Sequence, residues 1–119
     1  MKIALSPGAG SASEQVHSQL RGLIAAGWLQ PGRRLPPVRQ LAADLGLAAG
    51  TVARAYKRLE QEGLVVSRAG AGTHVCADVA TIPRDVVRAA RSFAVTARRA
   101  GLGYEDAERI LKAVWVNDG

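Results

Sequence analysis

The chain has 119 residues, sixteen Lys/Arg against ten Asp/Glu, a net charge of +6 and 48% hydrophobic residues, few of them aromatic. That length suits one small domain, or a small domain with an appendage, and the apolar content excludes wholesale disorder. No apolar run reaches membrane-spanning length and no secretory leader is recognisable, so a cytoplasmic location is expected. A single cysteine, Cys76, excludes an internal disulfide and gives no zinc spacing.

In chain order, residues 1–10 are rich in Gly, Ser and Pro and read as a frayed lead-in. Ser11 and Glu14 have the spacing of a capping box. Val16, Leu20, Leu23 and Ile24 give the first helix its apolar stripe, and Gly27 stops it. Pro31-Gly32 marks a turn. Leu35, Pro36 and Pro37 lead into a second helix, with Pro37 near its first turn, where a missing amide is harmless.

The stretch from Leu41 to Leu59 carries the most information. Val38, Leu41, Ala42 and Leu45 share one helix face; Val52, Ala55, Tyr56 and Leu59 share another. Gly46 stands between them, where a left-handed backbone is free of a Cβ penalty. Ala42 lets the two helices approach closely and Val52 fills the wedge. This is the layout of a helix-turn-helix, whose second helix is free to enter a DNA groove. An ordinary corner between two helices would share the pattern.

The third helix runs to about Glu62 and ends at Gly63. Residues 64–68 and 73–76 then read as two strands around an Ala-Gly-Ala-Gly turn, with Cys76 a small buried residue at a strand end. Three helices followed by a hairpin make a winged helix-turn-helix, a mainly α fold with a small β-hairpin. The expected division is a DNA-binding domain over 1–76 and a helical dimerisation tail over 77–119. Nine of the basic residues and four of the acidic ones precede Ala77, so the excess positive charge lies with the DNA reader.

In the tail, Thr81-Ile82-Pro83 forms a hinge into a helix ending near Ala100. Val86, Ala90, Phe93 and Ala97 line one side of it, while Arg84, Arg88, Arg91 and Arg98 line the other. After a Gly-Leu-Gly break, a last helix spans 104–116, with Glu105 and Asp106 favoured at its start by the helix dipole. Ala107, Ile110, Leu111, Val114 and Trp115 form its apolar stripe. Two such helices cannot cover both stripes alone, so they pack on the winged helix or on a second copy. Two-fold dimers on paired half-sites favour the second copy.

Several motifs together resemble the N-terminal domain of GntR-type bacterial transcription regulators. They are Pro31-Gly32, the Leu35-Pro36-x-x-Arg39 lead into helix two, Thr51-Val52 in helix three, Glu62-Gly63-Leu64 after it, and the Gly70-x-Gly72-Thr73 wing. The likeness covers about Val16 to Val75. With some forty residues after the wing, the chain is similar to the YtrA-like subfamily, whose two-helix tail serves dimerisation. The resemblance implies a dimeric repressor of its own operon and neighbouring transporter genes. Double-stranded operator DNA is the implied partner, and no cofactor is implied. The tail leaves little room for an enclosed effector pocket.

The resemblance places Arg39 on DNA, at a phosphate or a base edge, and Gly50 and Thr51 at the start of the recognition helix. A hydroxyl at Thr51 can donate to a phosphate or simply cap the helix. Arg54 lies near enough to that helix's start to read a base, while Lys57 and Arg58 suit phosphates. Three cations on a helix often form only a solvated face, but this is the groove-facing element. In the wing, Arg68 and His74 flank Gly70 and Gly72, whose tip can approach DNA closely; a tight hairpin explains the glycines equally well.

Relatives commonly carry Ser-Arg before the recognition helix and another arginine after Thr-Val, where this chain has Ala48, Ala49 and Ala53. The lost serine weakens the N-cap by roughly 1 kcal/mol. The lost arginines remove guanine readers worth about 1–3 kcal/mol of discrimination each. Alanine can still contact a thymine methyl, so a more A·T-rich operator or weaker specificity is expected. His17 and His74 lack the partners of a hydrolytic triad, and His74 with Cys76 makes two metal ligands without a third, so neither an enzyme nor a metal site is expected. Two other readings use the same residues: a protein-interaction module whose Arg84–Arg98 stripe meets an acidic partner, and a sequence-blind architectural DNA binder.

Overall fold

The structure, a computed structural model, describes residues 1–118 and divides into two compact units, Met1–Ile82 and a second from Pro83 onward. The first unit holds α1 (Ala12–Ala25), α2 (Val38–Leu45), α3 (Ala49–Gln61), β1 (Val65–Arg68) and β2 (Gly72–Val75). Its core is the apolar stripes facing one another: Val16, Leu20 and Ile24 from α1, Leu41 and Ala42 from α2, and Val52, Ala55, Tyr56 and Leu59 from α3. Leu29, Leu35, Val65 and Val75 close it on the strand side. Both α1 and α2 pack on α3, which is therefore held along its whole inner face.

Glycine followed by leucine ends α2, α3 and the first tail helix in the same way. At Gly46 the backbone turns left-handed (φ 68°), and the Leu47 amide donates back to the Ala42 carbonyl at 2.8 Å. The same 6→1 bond runs from Leu64 to Leu59 and from Leu102 to Ala97, each at 3.0 Å. At the other end of α1, Ser11 caps by accepting from the Glu14 amide at 3.1 Å.

Three features depart from the sequence reading. Residues 1–10 are not frayed. The Gln19 side-chain amide exchanges two hydrogen bonds with the Ala4 backbone, at 2.9 and 2.6 Å. Gln15 does the same with Ser6, at 2.7 and 2.8 Å, and Ile3 packs against the core. A primary amide has one donor and one acceptor edge-on, so it stands in for a neighbouring strand's peptide group.

The wing has a third edge. Val75 donates to the Arg33 carbonyl and Leu35 to the Thr73 carbonyl, both at 2.8 Å, so 33–35 pair antiparallel with β2 about an Arg34–His74 bridge. The hairpin itself pairs Val65 with Val75 and Arg68 with Gly72. Cys76 lies one residue past β2 and is half-buried, not a core residue.

The third departure concerns the boundary at Cys76. Residues 77–82 pack with the first unit: Val79 rests on the core, and the Ile82 amide donates to the Ala25 carbonyl at 2.8 Å.

The second unit contains α4 (Arg84–Arg99) and α5 (Tyr104–Asn117). Its α5 start is fixed by Asp106, which accepts from the Gly103 amide at 3.2 Å and pairs with Arg109 at 3.0 Å. Ala97 is buried and Phe93, Ala94, Leu102 and Ala107 are half-buried within this unit. Val86, Ala90, Ile110, Leu111, Val114 and Trp115 are exposed, Trp115 at 78%. Among the described residues no helix is long and apolar enough to cross a membrane.

Candidate nucleic-acid interface

Burying one side of α3 decides what the other side presents. With Val52, Ala55, Tyr56 and Leu59 inward, Arg54, Lys57 and Arg58 project outward and are exposed. None of them is ion-paired among the described residues, and neither is Arg39 or Arg68. Unneutralised cations on one face are what a polyanion needs. The alanines at 48, 49 and 53 are exposed too, so part of the outer face carries only methyl groups.

The start of α3 is open. Ala48 stands at the N-cap, makes no side-chain hydrogen bond there, and no acid occupies the first turn. The positive end of the helix dipole thus has no side-chain cap and favours an external anion. Gly50 is exposed there, while Thr51 is half-buried and its amide donates to the Ala48 carbonyl at 3.1 Å.

Two long-range contacts fix the pose of α3. Near its middle, the Tyr56 hydroxyl donates to the Pro36 carbonyl at 2.6 Å, tying the helix to the segment that delivers Arg39, the second residue of α2. Burial pushes the Tyr56 phenol up from 10.0 to about 12. The unfolded phenol ionises near 10 and the folded one near 12. The stabilisation is therefore complete below pH 10 and is lost as pH rises through 12. In urea titrations, Tyr56→Phe is expected to lose about 1 kcal/mol at pH 8. It should also lack the wild type's extra decline between pH 10 and 12; parallel curves would remove the burial argument.

At the far end, Glu62 pairs with the buried His17 of α1 and lies 3.5 Å from Arg21. The His17 hydrogen bond is the main reason that the Glu62 carboxyl titrates below its ordinary 4.5, with the charges of His17, Arg21 and Arg58 adding to it. His17 has no role in the sequence reading, because its partner lies 45 residues away.

In the wing, Gly70 and Gly72 both have left-handed backbones, with φ of 75° and 80°. A Cβ on Gly72 would lie 2.8 Å from the Arg34 Nε, so the glycine leaves room for that guanidinium. His74 is half-buried beside them. Its Nδ1 is buried without a hydrogen-bond partner among the described residues, which leaves only Nε2 for a phosphate. Among the described residues no group of three His, Cys, Asp or Glu could hold a metal ion. Arg33 and Arg34 are absent from the sequence-derived site because adjacent arginines before an apolar residue carry no motif; only their pairing with β2 brings them to the wing.

A glycine-closed helix pair, a third helix apolar inside and cationic outside, and a wing beside it define a winged helix-turn-helix DNA-binding regulator. Residues 12–75 match the family of bacterial regulatory proteins, gntR family. The chain belongs to this family of transcription regulators, in its YtrA-like subfamily. It is 42% identical over 101 residues to the HTH-type transcriptional regulator Rv1152 of Mycobacterium tuberculosis, covering 85% of this chain and 83% of that one. YtrA from Sulfolobus acidocaldarius, a GntR-family transcription factor, superposes with a TM-score of 0.58 at 34% identity, over 80% of this chain and 96% of its own. AraR(DBD), in complex with operator ORX1, superposes at 0.55 with 26% identity, over 64% of this chain and 92% of its own.

Proposed function

We propose that the protein is a homodimeric repressor that reads a two-fold operator, with α3 in the major groove and the wing beside it. One observation carries this reading. The open, cationic face of α3 is locked to Arg39 through the Tyr56–Pro36 hydrogen bond, so base-reading and backbone-gripping groups keep a fixed spacing. Arg39, Gly50, Thr51, Arg54, Lys57 and Arg58 act from the helices, and Arg68, Gly70, Gly72 and His74 act from the wing. The exposed alanines at 49 and 53 suit thymine methyls and so an A·T-rich site. The exposed stripes of α4 and α5 supply the dimer contact, and the AraR complex supports operator DNA as the partner of the winged unit. Repression of its own operon and of neighbouring transporter genes, in the cytoplasm, rests on the likeness to the YtrA-like subfamily.

Fluorescence anisotropy on the protein's own upstream DNA and on scrambled DNA of equal length, across a salt series, tests this reading. A preference for the native fragment that survives near-physiological salt and is lost in Arg39→Ala is the expected result. Equal affinities that vanish together with salt would make the protein an architectural binder. No DNA binding at any salt would leave the protein-interaction module.

A further inference from the structure

A cleft of about 370 Å³ opens at the base of the wing, where the edge segment 33–35 turns into α2. Leu29, Leu35, Pro36 and Pro37 line it together with Arg33, Arg34 and Met1; the two leucines are buried and both arginines are exposed. No acidic residue lines it, and neither arginine has an ion-pair partner among the described residues. Both arginines are exposed, so each keeps its charge in water until an anion arrives.

The surroundings point to one kind of anion. Arg34 lies against Gly72 of the wing, and Pro36 accepts the hydrogen bond from Tyr56 of the recognition helix. Two residues after Pro37 comes Arg39. The cleft therefore adjoins the wing through Arg34 and the inward-facing Tyr56 of α3 through Pro36. On the DNA-binding reading, the polyanion brought to the wing is the phosphate backbone of a duplex.

We propose that Arg33 and Arg34 form a second phosphate grip at the base of the wing, which takes DNA phosphodiesters beside the groove occupied by α3. The inference rests on the DNA-binding reading above. Gly72 belongs to the grip because any side chain there would displace the Arg34 guanidinium. A contact to phosphates carries no sequence information, so the grip adds affinity to every DNA and fixes the register in which α3 reads.

The test compares the full chain with Arg33→Gln, Arg34→Gln and the double variant, on native and scrambled DNA across a KCl series. Glutamine keeps a polar hydrogen-bonding side chain while removing the charge. Each single variant is expected to weaken both DNAs alike, by about tenfold near physiological salt. The slope of log K against log salt should fall by about one per arginine, because a phosphate that is no longer neutralised keeps its counterion. Lys112→Gln, which removes the same charge from α5, is expected to keep the wild-type slope.

If the wild type binds DNA with a steep slope and the double variant has the same slope, the grip is overturned and the DNA-binding reading stands. If the wild type binds no DNA, both fall together. Inorganic phosphate that raises Tm in the wild type but not in the double variant, with DNA slopes unchanged, would assign the cleft to a free phosphate ligand and overturn the DNA source.

Discussion

Arg54→Ala is expected to lower affinity for the native operator by about 5- to 150-fold and to leave scrambled DNA nearly untouched. The range corresponds to the roughly 1–3 kcal/mol that a bidentate arginine–guanine contact adds to discrimination. Of the cations on α3, Arg54 comes first after the open start of the helix, the side chains of Ala49 and Ala53 cannot supply a hydrogen bond, and its guanidinium is not ion-paired among the described residues. Lys57→Ala gives the contrasting pattern. It should weaken both DNAs equally and lower the salt slope by about one, as a phosphate contact does. Anisotropy on matched fragments measures both. Equal losses on both DNAs for Arg54→Ala would make it a phosphate contact as well and leave the code to the alanines.

A larger effect is expected in the tail. Leu111 and Val114 are about half exposed, one helical turn apart on α5, and Trp115 continues their stripe. Replacing both Leu111 and Val114 with Asp puts two charges on a face that, in the proposed dimer, lies against the second copy. Exposed positions tolerate a charge in the isolated protomer, so its fold should survive with an unchanged circular dichroism spectrum. Light scattering is expected to report a monomer. Affinity for the two-fold operator should fall by about 10²- to 10⁴-fold, because the second half-site no longer benefits from tethering. Affinity for a single half-site should stay as it was. A variant that remains dimeric would move the dimer contact off α5.

Much of this fold is legible without coordinates, for a local reason. The inward faces of α1, α2 and α3 follow from apolar residues recurring at three and four positions; most of the side chains named by that spacing lie in the core, while Leu23, Val38 and Leu45 are half-buried against it. Gly46, Gly63 and Gly101 mark helix ends because a left-handed residue after the last turn is a property of a few consecutive dihedrals. The outward direction of Arg54 and Lys57 then follows from geometry, since the helix has only one other side.

The features that escaped the sequence reading join residues far apart in the chain. Gln19 and Ala4 are 15 positions apart, Tyr56 and Pro36 are 20, and His17 and Glu62 are 45. A glutamine on a polar helix face looks like a solvated residue until the lead-in is seen to run beside it. Tyr56 reads as one more core aromatic until its hydroxyl is seen to reach Pro36. Arg34 reads as surface charge until β2 takes 33–35 as an edge.

By itself, the sequence determined the helices, their buried faces, their glycine stops, the wing's glycine-rich tip and the family, since each of these depends on neighbours within a turn or two or on a motif of fixed spacing. Only the tertiary structure decided that the lead-in is pinned by two glutamine amides, that the wing has a third edge bearing Arg33 and Arg34, and that α3 is tied at its middle to Pro36 and at its end to His17. Hydrogen bonds of that kind are specified by where the buried core brings distant backbone together, and no local pattern encodes that meeting.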